Sequence, residues 1–408
     1  MRKCANWIDF FCEYIDDTET PKIFAKWSAI SAIASALRRK CVLVLGRQET
    51  FPNLYIVFVG PPAKVVKSTS IDYMCQIINE LPFIHFSAES NTRESLFQNL
   101  EASRDEFVNI DGSLSISSNL TVISKEFEIF LGQKKENSKL LIALTDLYDG
   151  KFTGARPWKH STKHSGCSTI PLPFLNIIGG TTPDSLSRGL SSDAIGDGFT
   201  TRIIFVYQDQ RPKDVPRPSW TKWHEEAREN LIYDLNEISK IIGTYTTSEE
   251  CNIEYDKWYV KQRHSPKICQ DQAFAGWYER KPLLTRKVAM IYKASYSDEK
   301  LLVWSDFTKA IEFIEEVEHT MALSFRGVGR SDITIDVDMA YTIISSRSYI
   351  SDSDLLALTW RDMDSQKMDA VITTLTRSGK IRMLTRSPTG EAGLFYVAVK
   401  PSTQITTV

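Results

Sequence analysis

Asn53-Leu54-Tyr55-Ile56-Val57-Phe58-Val59-Gly60-Pro61-Pro62-Ala63-Lys64-Val65-Val66-Lys67-Ser68-Thr69-Ser70 is the stretch on which the reading of this chain turns. Leu54 to Val59 is aromatic, β-branched or aliphatic and carries no charge, as suits a strand buried on both faces of a parallel sheet. Gly60-Pro61-Pro62 ends it, and Ile71, Met74, Ile77 and Ile78 then recur at helical spacing. Strand, loop and Lys-Ser at a helix start form the layout that cradles a phosphate. Backbone N–H groups converge there and the helix dipole adds positive potential. In that reading Gly60, Pro61, Pro62, Ala63, Lys64, Val65, Val66, Lys67, Ser68 and Thr69 surround the phosphates of ATP. Lys67 neutralises the β- and γ-phosphates, and the Ser68 hydroxyl completes a Mg²⁺ shell together with Glu126 through water.

The loop departs from the standard G-x-x-x-x-G-K-[ST] pattern. Gly60 lies one residue further from Lys67, Val66 replaces the second glycine, and Ala63 stands where many such loops carry another. Valine disfavours left-handed backbone, so the loop is expected to bend differently or to be one residue longer. The competing reading is an ordinary strand–turn–helix corner with an incidental Lys-Ser.

Composition narrows the rest. The chain of 408 residues, 42% hydrophobic and 25% charged, suffices for one large globular core with satellites. A net charge of −2 confines any nucleic-acid contact to a local basic patch. Seven scattered cysteines without a C-x-x-C pair argue against a disulfide framework or zinc site and fit a reducing compartment. Met1 to Asp9 has no apolar leader and no run approaches a membrane span, so a cytoplasmic protein with no membrane partner is expected.

Five further features fall in chain order. Residues 5–19 and 21–40 read as helices, the second rich in Ala and Ser and suited to close packing; an amphipathic membrane helix is the alternative. Leu120 to Ser124 is an apolar strand leading to Lys125 and Glu126, a carboxylate carried to a sheet edge, with Glu126 to orient or deprotonate the attacking water. Ser124 is a candidate for the Mg²⁺ shell. Residues 151–166 hold Lys151, Arg156, Lys159 and Lys163 with Trp158, His160 and no acid, a pattern suited to tracking a nucleic-acid backbone, or to a solvated loop. Pro173 to Pro183 is another buried strand, ending in small polar residues, of which Thr181 or Thr182 is a candidate hydroxyl sensor of the γ-phosphate. Arg202, opening the strand Phe199 to Tyr207, is a candidate arginine finger, with Arg188 as its rival.

A proline-rich boundary follows at 209–218. Beyond it, residues 219–242 and about 252–325 read as helical, where Arg280-Lys281 and Arg286-Lys287 suit a solvated face or a contact to nucleotide or DNA. From about Ile335, helices capped at Ser351-Asp352 and Asp364, a Gly379 stop and two strands form a winged helix. The expected domains are a helical lead-in at 1–45, a nucleotide-binding core at 46–210, a helical region at 211–334 and a winged helix at 335–408. The expected fold class is α/β, a P-loop NTPase (RecA/AAA-like) parallel-sheet core.

Pro21…Trp27, Asn53-Leu54-Tyr55 into the irregular loop, Ser124-Lys125-Glu126-Phe127, Gly179-Gly180-Thr181-Thr182-Pro183 and Gly198-Phe199-Thr200-Thr201-Arg202 occur in one order. With the terminal winged helix, this resembles the phage- and mobile-element-encoded helicase-like ATPases found fused to or beside primases. They look related to hexameric replicative helicases of the additional-strand, catalytic-glutamate class. The likeness covers residues 5 to about 210 well. It implies Lys67 and Ser68 on ATP and Mg²⁺, Glu126 on water, Thr181 or Thr182 as sensor, and Arg202 reaching a neighbour's ATP in a ring, expected to be a hexamer. DNA and a primase or other replication protein are the implied partners, in the cytoplasm of a bacterial host. The leading expectation is therefore an ATP-dependent DNA helicase of phage or mobile-element replication. The alternative is a DNA-binding initiator or helicase-recruiting module that binds nucleotide and hydrolyses it weakly; a third is an inactive scaffold.

Overall fold

The computed structural model describes residues 2–87, 93–109, 111–132, 138–149, 158–162, 166–190, 198–269, 274–325, 332–359 and 363–399. They fall into two compact units, residues 1–328 and 329–408. The fold is α/β, with mixed sheets and many helices. No helix among the described residues is long and apolar enough to cross a membrane.

The first unit opens with α1 (Trp7–Tyr14) and α2 (Lys22–Leu37), then β1 (Cys41–Leu45), β2 (Gln48–Thr50), β3 (Tyr55–Val59) and α3 (Lys67–Ile78). Next come α4 (Arg93–Ala102), β4 (Arg104–Val108), β5 (Leu114–Ser124), α5 (Phe127–Leu131) and α6 (Ser138–Asp149). The hairpin β6 (Trp158–Thr162) and β7 (Gly166–Ile170) precedes β8 (Pro173–Thr181), α7 (Pro183–Gly189) and β9 (Ile203–Tyr207). The unit closes with α8 (Lys222–Ile238), β10 (Gly243–Thr247), α9 (Glu249–His264), α10 (Ala275–Tyr296), β11 (Leu301–Leu302) and α11 (Trp304–Glu318).

The central sheet runs β4-β5-β8-β3-β9, with β5, β8, β3 and β9 parallel and β4 antiparallel on the edge. All five residues of β3 are buried, as an uncharged strand between two parallel neighbours requires. Residues 82–87 contribute one parallel bridge, Phe86 to Thr121, with Thr121 N donating to His85 O at 2.9 Å and Ser87 N to Thr121 O at 3.1 Å.

Helix α2 lies in the core against this sheet, which overturns its membrane alternative. Phe24 stacks on Phe58 with ring centroids 4.6 Å apart. Its serines answer buried polar groups of the sheet: the Asn176 amide donates to Ser31 Oγ at 3.1 Å and Ser35 Oγ at 2.9 Å, and Thr121 Oγ1 donates to Ser35 Oγ at 2.9 Å. Ser28 Oγ and Ser70 Oγ, 2.7 Å apart, join α2 to α3. Unmet polar groups at such depth would cost about 1–3 kcal/mol each.

Two expected boundaries dissolve. Strand β1 pairs with β2 and, in parallel, with β10, and β11 extends that second sheet to β11-β10-β1-β2. Residue 45 and residue 210 therefore separate nothing; the first three expected segments are one unit. The turn ahead of α1 is held from α8, where Asp234 accepts from Lys3 N at 2.7 Å and Cys4 N at 2.7 Å. The basic residues of α10 correct another expectation, because Lys281, Arg286 and Lys287 are buried. Lys287 Nζ donates to Asn53 Oδ1 at 2.6 Å, and burial pushes its ammonium well below the ordinary lysine range. Arg280 pairs with Asp149 at 3.2 Å. Lys287 thus ties α10 to the segment just ahead of β3 and Arg280 ties it to α6, so this basic run is held within the fold and is not laid out as a solvated face.

The second unit contains α12 (Asp332–Ser345), β12 (Ile350–Ser351), α13 (Asp352–Thr359), α14 (Ser365–Arg377), β13 (Ile381–Arg386) and β14 (Ala392–Ala398). Its sheet runs β12-β14-β13, antiparallel throughout. Val371, Leu375, Ile381 and Tyr396 belong to its own core. Asp364 caps α14, accepting from Lys367 N at 2.8 Å, and Gly379, at φ +69°, stops it.

Candidate functional site

The end of β3 and the start of α3 bound a loop, Gly60 to Val66, at the carboxyl edge of the parallel sheet. From β3 the chain crosses past β8 to β5 on one side, and from β8 it later crosses past β3 to β9 on the other, so the order of the strands reverses at this edge. Such a crevice is where open α/β sheets take ligands. Gly60 has a packing reason to be glycine: a Cβ there would meet Gln208 O at 2.3 Å and Val65 Cγ2 at 2.6 Å.

The loop does bend differently. Ala63 adopts φ +56°, in the left-handed region, while Val66 stays at φ −87°. That conformation costs an alanine about 1–2 kcal/mol. One guanidinium holds the bend: Arg211 Nε donates to Lys64 O at 3.0 Å and Nη2 to Ala63 O at 3.2 Å, while Nη1 pairs with Glu19 Oε2 at 2.8 Å.

Lys67, the first residue of α3, turns back into the loop and donates to Gly60 O at 2.9 Å and Pro61 O at 3.4 Å. Burial pushes its ammonium down; the Glu126 and Glu128 carboxylates push it up. Both acids are thus close enough to act on this lysine. Ser68, on the first turn of α3, and Glu126, the N-cap of α5, are exposed.

The approach of these groups depends on two glycines of β8. A Cβ on Gly179 would lie 2.9 Å from Ser124 O, and one on Gly180 would lie 3.1 Å from Lys125 O and 3.8 Å from Lys67 Cβ. The turn from β5 into α5 therefore crosses bare backbone. Ser124 Oγ is spent inside that turn, donating to Glu126 O at 3.0 Å, so it is a brace and not a metal-shell hydroxyl. Lys125 pairs with Asp72 of α3 at 2.6 Å.

Of the two threonines, Thr181 is the one at this cluster, donating to Glu128 Oε2 at 3.1 Å. Thr182 caps α7 by accepting from Ser185 N at 3.1 Å. Sequence reasoning misses Glu128. The only signal for it is its position two residues beyond Glu126, since the α5 turn is what brings it back over the sheet.

Arg202 does not meet its expected role. Its side chain is 5% exposed and pairs with Asp149 Oδ2 at 2.5 Å. It also precedes β9 at the strand's amino end, aligned with the start of β3 rather than with Gly60. A guanidinium so committed cannot reach into another subunit. Arg188 is exposed on α7, bonded to Ser185 Oγ at 2.9 Å.

Lys151, Arg156 and Lys163 lie outside the described residues. Trp158, Lys159 and His160 fall on β6, in register with Ile170, Thr169 and Ser168 of β7. The hairpin is anchored at its base, where Arg104 Nη2 donates to Thr169 O at 2.9 Å and Thr169 N to Glu101 Oε1 at 3.2 Å.

A magnesium nucleotide suits this donor set. Lys67 is one part-buried cation in a loop of backbone groups, and the exposed Ser68 hydroxyl and Glu126 carboxylate are the hard oxygen donors Mg²⁺ prefers. Among the described residues no group of three His, Cys, Asp or Glu is placed to hold a metal by itself. Mg²⁺ needs no such group where phosphate oxygens and waters complete its shell. No protein-family model matches this chain, and no curated protein does.

Proposed function

We propose that this chain is a P-loop ATPase of the additional-strand class that drives a DNA helicase. The observation that carries the reading is Lys67 at the first turn of α3, folded onto the Gly60 and Pro61 carbonyls within the field of Glu126 and Glu128. The strand order supports it, since β8 lies between the loop strand β3 and the carboxylate strand β5, as an additional strand would. Lys67 would leave its carbonyls to take the β- and γ-phosphates. Ser68 would hold Mg²⁺, which supplies charge neutralisation at the phosphates when bound. Glu126, exposed at the turn, would orient the attacking water and receive its proton. Glu128, tied to Thr181, would report occupancy to β8. Arg188 takes over as the candidate for completing a neighbour's site in a ring, the hexamer implied by the resemblance.

DNA is the proposed substrate. The basic stretch 151–166, with Lys159 on β6, would follow a single strand. The order α12-β12-α13-α14-β13-β14 supports a winged helix, whose exposed Gln366, Thr373 and Arg377 on α14 face outward as a groove-reading helix requires. A replication protein such as a primase is the expected further partner, in a bacterial cytoplasm.

The test is titration of the full chain with fluorescent ATP and Mg²⁺, followed by hydrolysis with and without forked DNA. Lys67→Ala should abolish DNA-stimulated turnover, and Glu126→Gln should bind nucleotide while losing turnover; unchanged turnover in Lys67→Ala would sink the reading. One observation favours a second reading, an initiator or recruiter that binds nucleotide and hydrolyses it weakly. Where an acid commonly precedes the glutamate this chain has Lys125, which is already paired with Asp72. ATP-dependent strand displacement separates the two.

A further inference from the structure

We propose that Arg211 is a positioning residue that substitutes for the absent loop glycines and keeps Gly60 to Val66 in the shape a triphosphate needs, an inference that rests on the nucleotide-site reading above. Without glycine at 63 and 66 the loop meets strain at its left-handed residue: Ala63 sits at φ +56°, in a tight turn that Lys64 N closes by donating to Pro62 O at 2.7 Å. Successive carbonyls of an extended chain point to opposite sides. Here those of Ala63 and Lys64 both reach one guanidinium, at 3.2 Å and 3.0 Å. A planar fork can hold two acceptors only when the chain turns them the same way, so the contact specifies the bend. Each trans peptide sets its N–H opposite its carbonyl. Turning these carbonyls to Arg211 therefore turns the N–H of Val65 away from it, while that of Lys64 donates to Pro62 O at 2.7 Å.

The guanidinium is itself held. Glu19 Oε2 accepts from Arg211 Nη1 at 2.8 Å, and Glu19 Oε1 accepts from Val215 N at 3.2 Å. Asp16 pairs with Lys213 at 3.1 Å, and Asp17 accepts from Ser219 N at 3.0 Å and Ser219 Oγ at 2.8 Å. The segment 211–219 is thus strapped to the turn after α1, and its arginine is delivered to the loop from outside the motif. A lysine ammonium has its donors on one atom and lacks the planar fork that holds both carbonyls on one edge and the Glu19 carboxylate on another.

The experiment is a double-mutant cycle of Arg211→Ala and Ala63→Gly in the full chain, with two measurements. The first needs no nucleotide: the rate of tryptic cleavage after the exposed Lys64, followed by mass spectrometry. The second is affinity for fluorescently labelled ATP with Mg²⁺. Arg211→Ala is expected to speed cleavage at Lys64 and weaken ATP binding by about tenfold each. In the Ala63→Gly background, where left-handed backbone is free of strain, the same change should matter less than about threefold. Equal losses in both backgrounds would mean that Arg211 acts on the ligand directly and would overturn the proposal, as would unchanged cleavage in Arg211→Ala. If the unaltered chain binds no ATP, the cleavage cycle still decides the role of Arg211, and only the nucleotide reading fails. Should Arg211→Ala not fold, Glu19→Gln keeps the guanidinium and loosens its anchor, and must shift both measurements in the same direction by a smaller factor.

Discussion

At Gly60 a single methyl group separates a working corner from a broken one. With Gln208 O only 2.3 Å from where a Cβ would stand, the neighbour that must move is backbone of the segment leaving β9. Gly60→Ala should therefore lower unfolding free energy by on the order of 3 kcal/mol, measured by urea denaturation. Three residues on, the sign reverses. Ala→Gly in a loop ordinarily costs about 0.5–1 kcal/mol, but at Ala63 it removes left-handed strain of similar size. Ala63→Gly is expected to leave the melting temperature unchanged or to raise it. Lys40 yields a pH prediction. Burial pushes its ammonium down to about 8. Between that value and the ordinary lysine range the unfolded chain binds more protons, so this group's contribution improves as pH rises. The wild-type chain should gain stability relative to Lys40→Met between pH 7 and pH 10; a constant difference would contradict it. The helix start at Lys67-Ser68 was legible in the sequence because it directly follows the loop and strand that precede it. Arg211 was not, since it lies 148 residues from Ala63 and nothing in its own neighbourhood marks it.

Elements explain which of these residues meet. Strand β8 carries Gly179 and Gly180 side by side so that the turn from β5 into α5 can cross it, and that crossing delivers Glu126 and Glu128 toward Lys67. Gly179→Ala, which would place a Cβ 2.9 Å from Ser124 O, should displace this turn. The expected result is at least tenfold weaker Mg-ATP binding with a smaller loss of stability than Gly60→Ala; undiminished binding would argue that the glutamates are not part of the site. Buried parallel strands such as β3, β8 and β9 were readable because uncharged β-branched runs have few other places to go. Strands β10 and β11 were not. Gly243 to Thr247 alternates polar and apolar only weakly, and its strand character comes from pairing with Cys41 to Leu43, far away in sequence. The ends of α1 and α2 also ran short of expectation, and the strand expected from Phe199 begins only at Ile203 after a turn of 3-10 helix. Pattern alone does not fix where a hydrogen-bond ladder starts.

The molecule as a whole is two units with separate cores. Val371 is fully buried in the second. Val371→Ala should cost that unit about 2 kcal/mol while Mg-ATP affinity in the first stays within twofold, a comparison that calorimetry and titration can make on one sample. The boundary expected at residue 334 rests on a new run of caps and turns; the two units divide between residues 328 and 329. The boundaries expected at 45 and 210 were composition shifts inside a single core. Helix α2 shows what this implies at the bench. Its Phe24 ring and its serines finish the underside of the sheet that holds the loop. A shortened version starting at residue 46 would bare the inner face of β3 and β8 and leave the Asn176 amide without partners. Such a fragment would aggregate, and its silence in an ATPase assay would carry no information about Lys67.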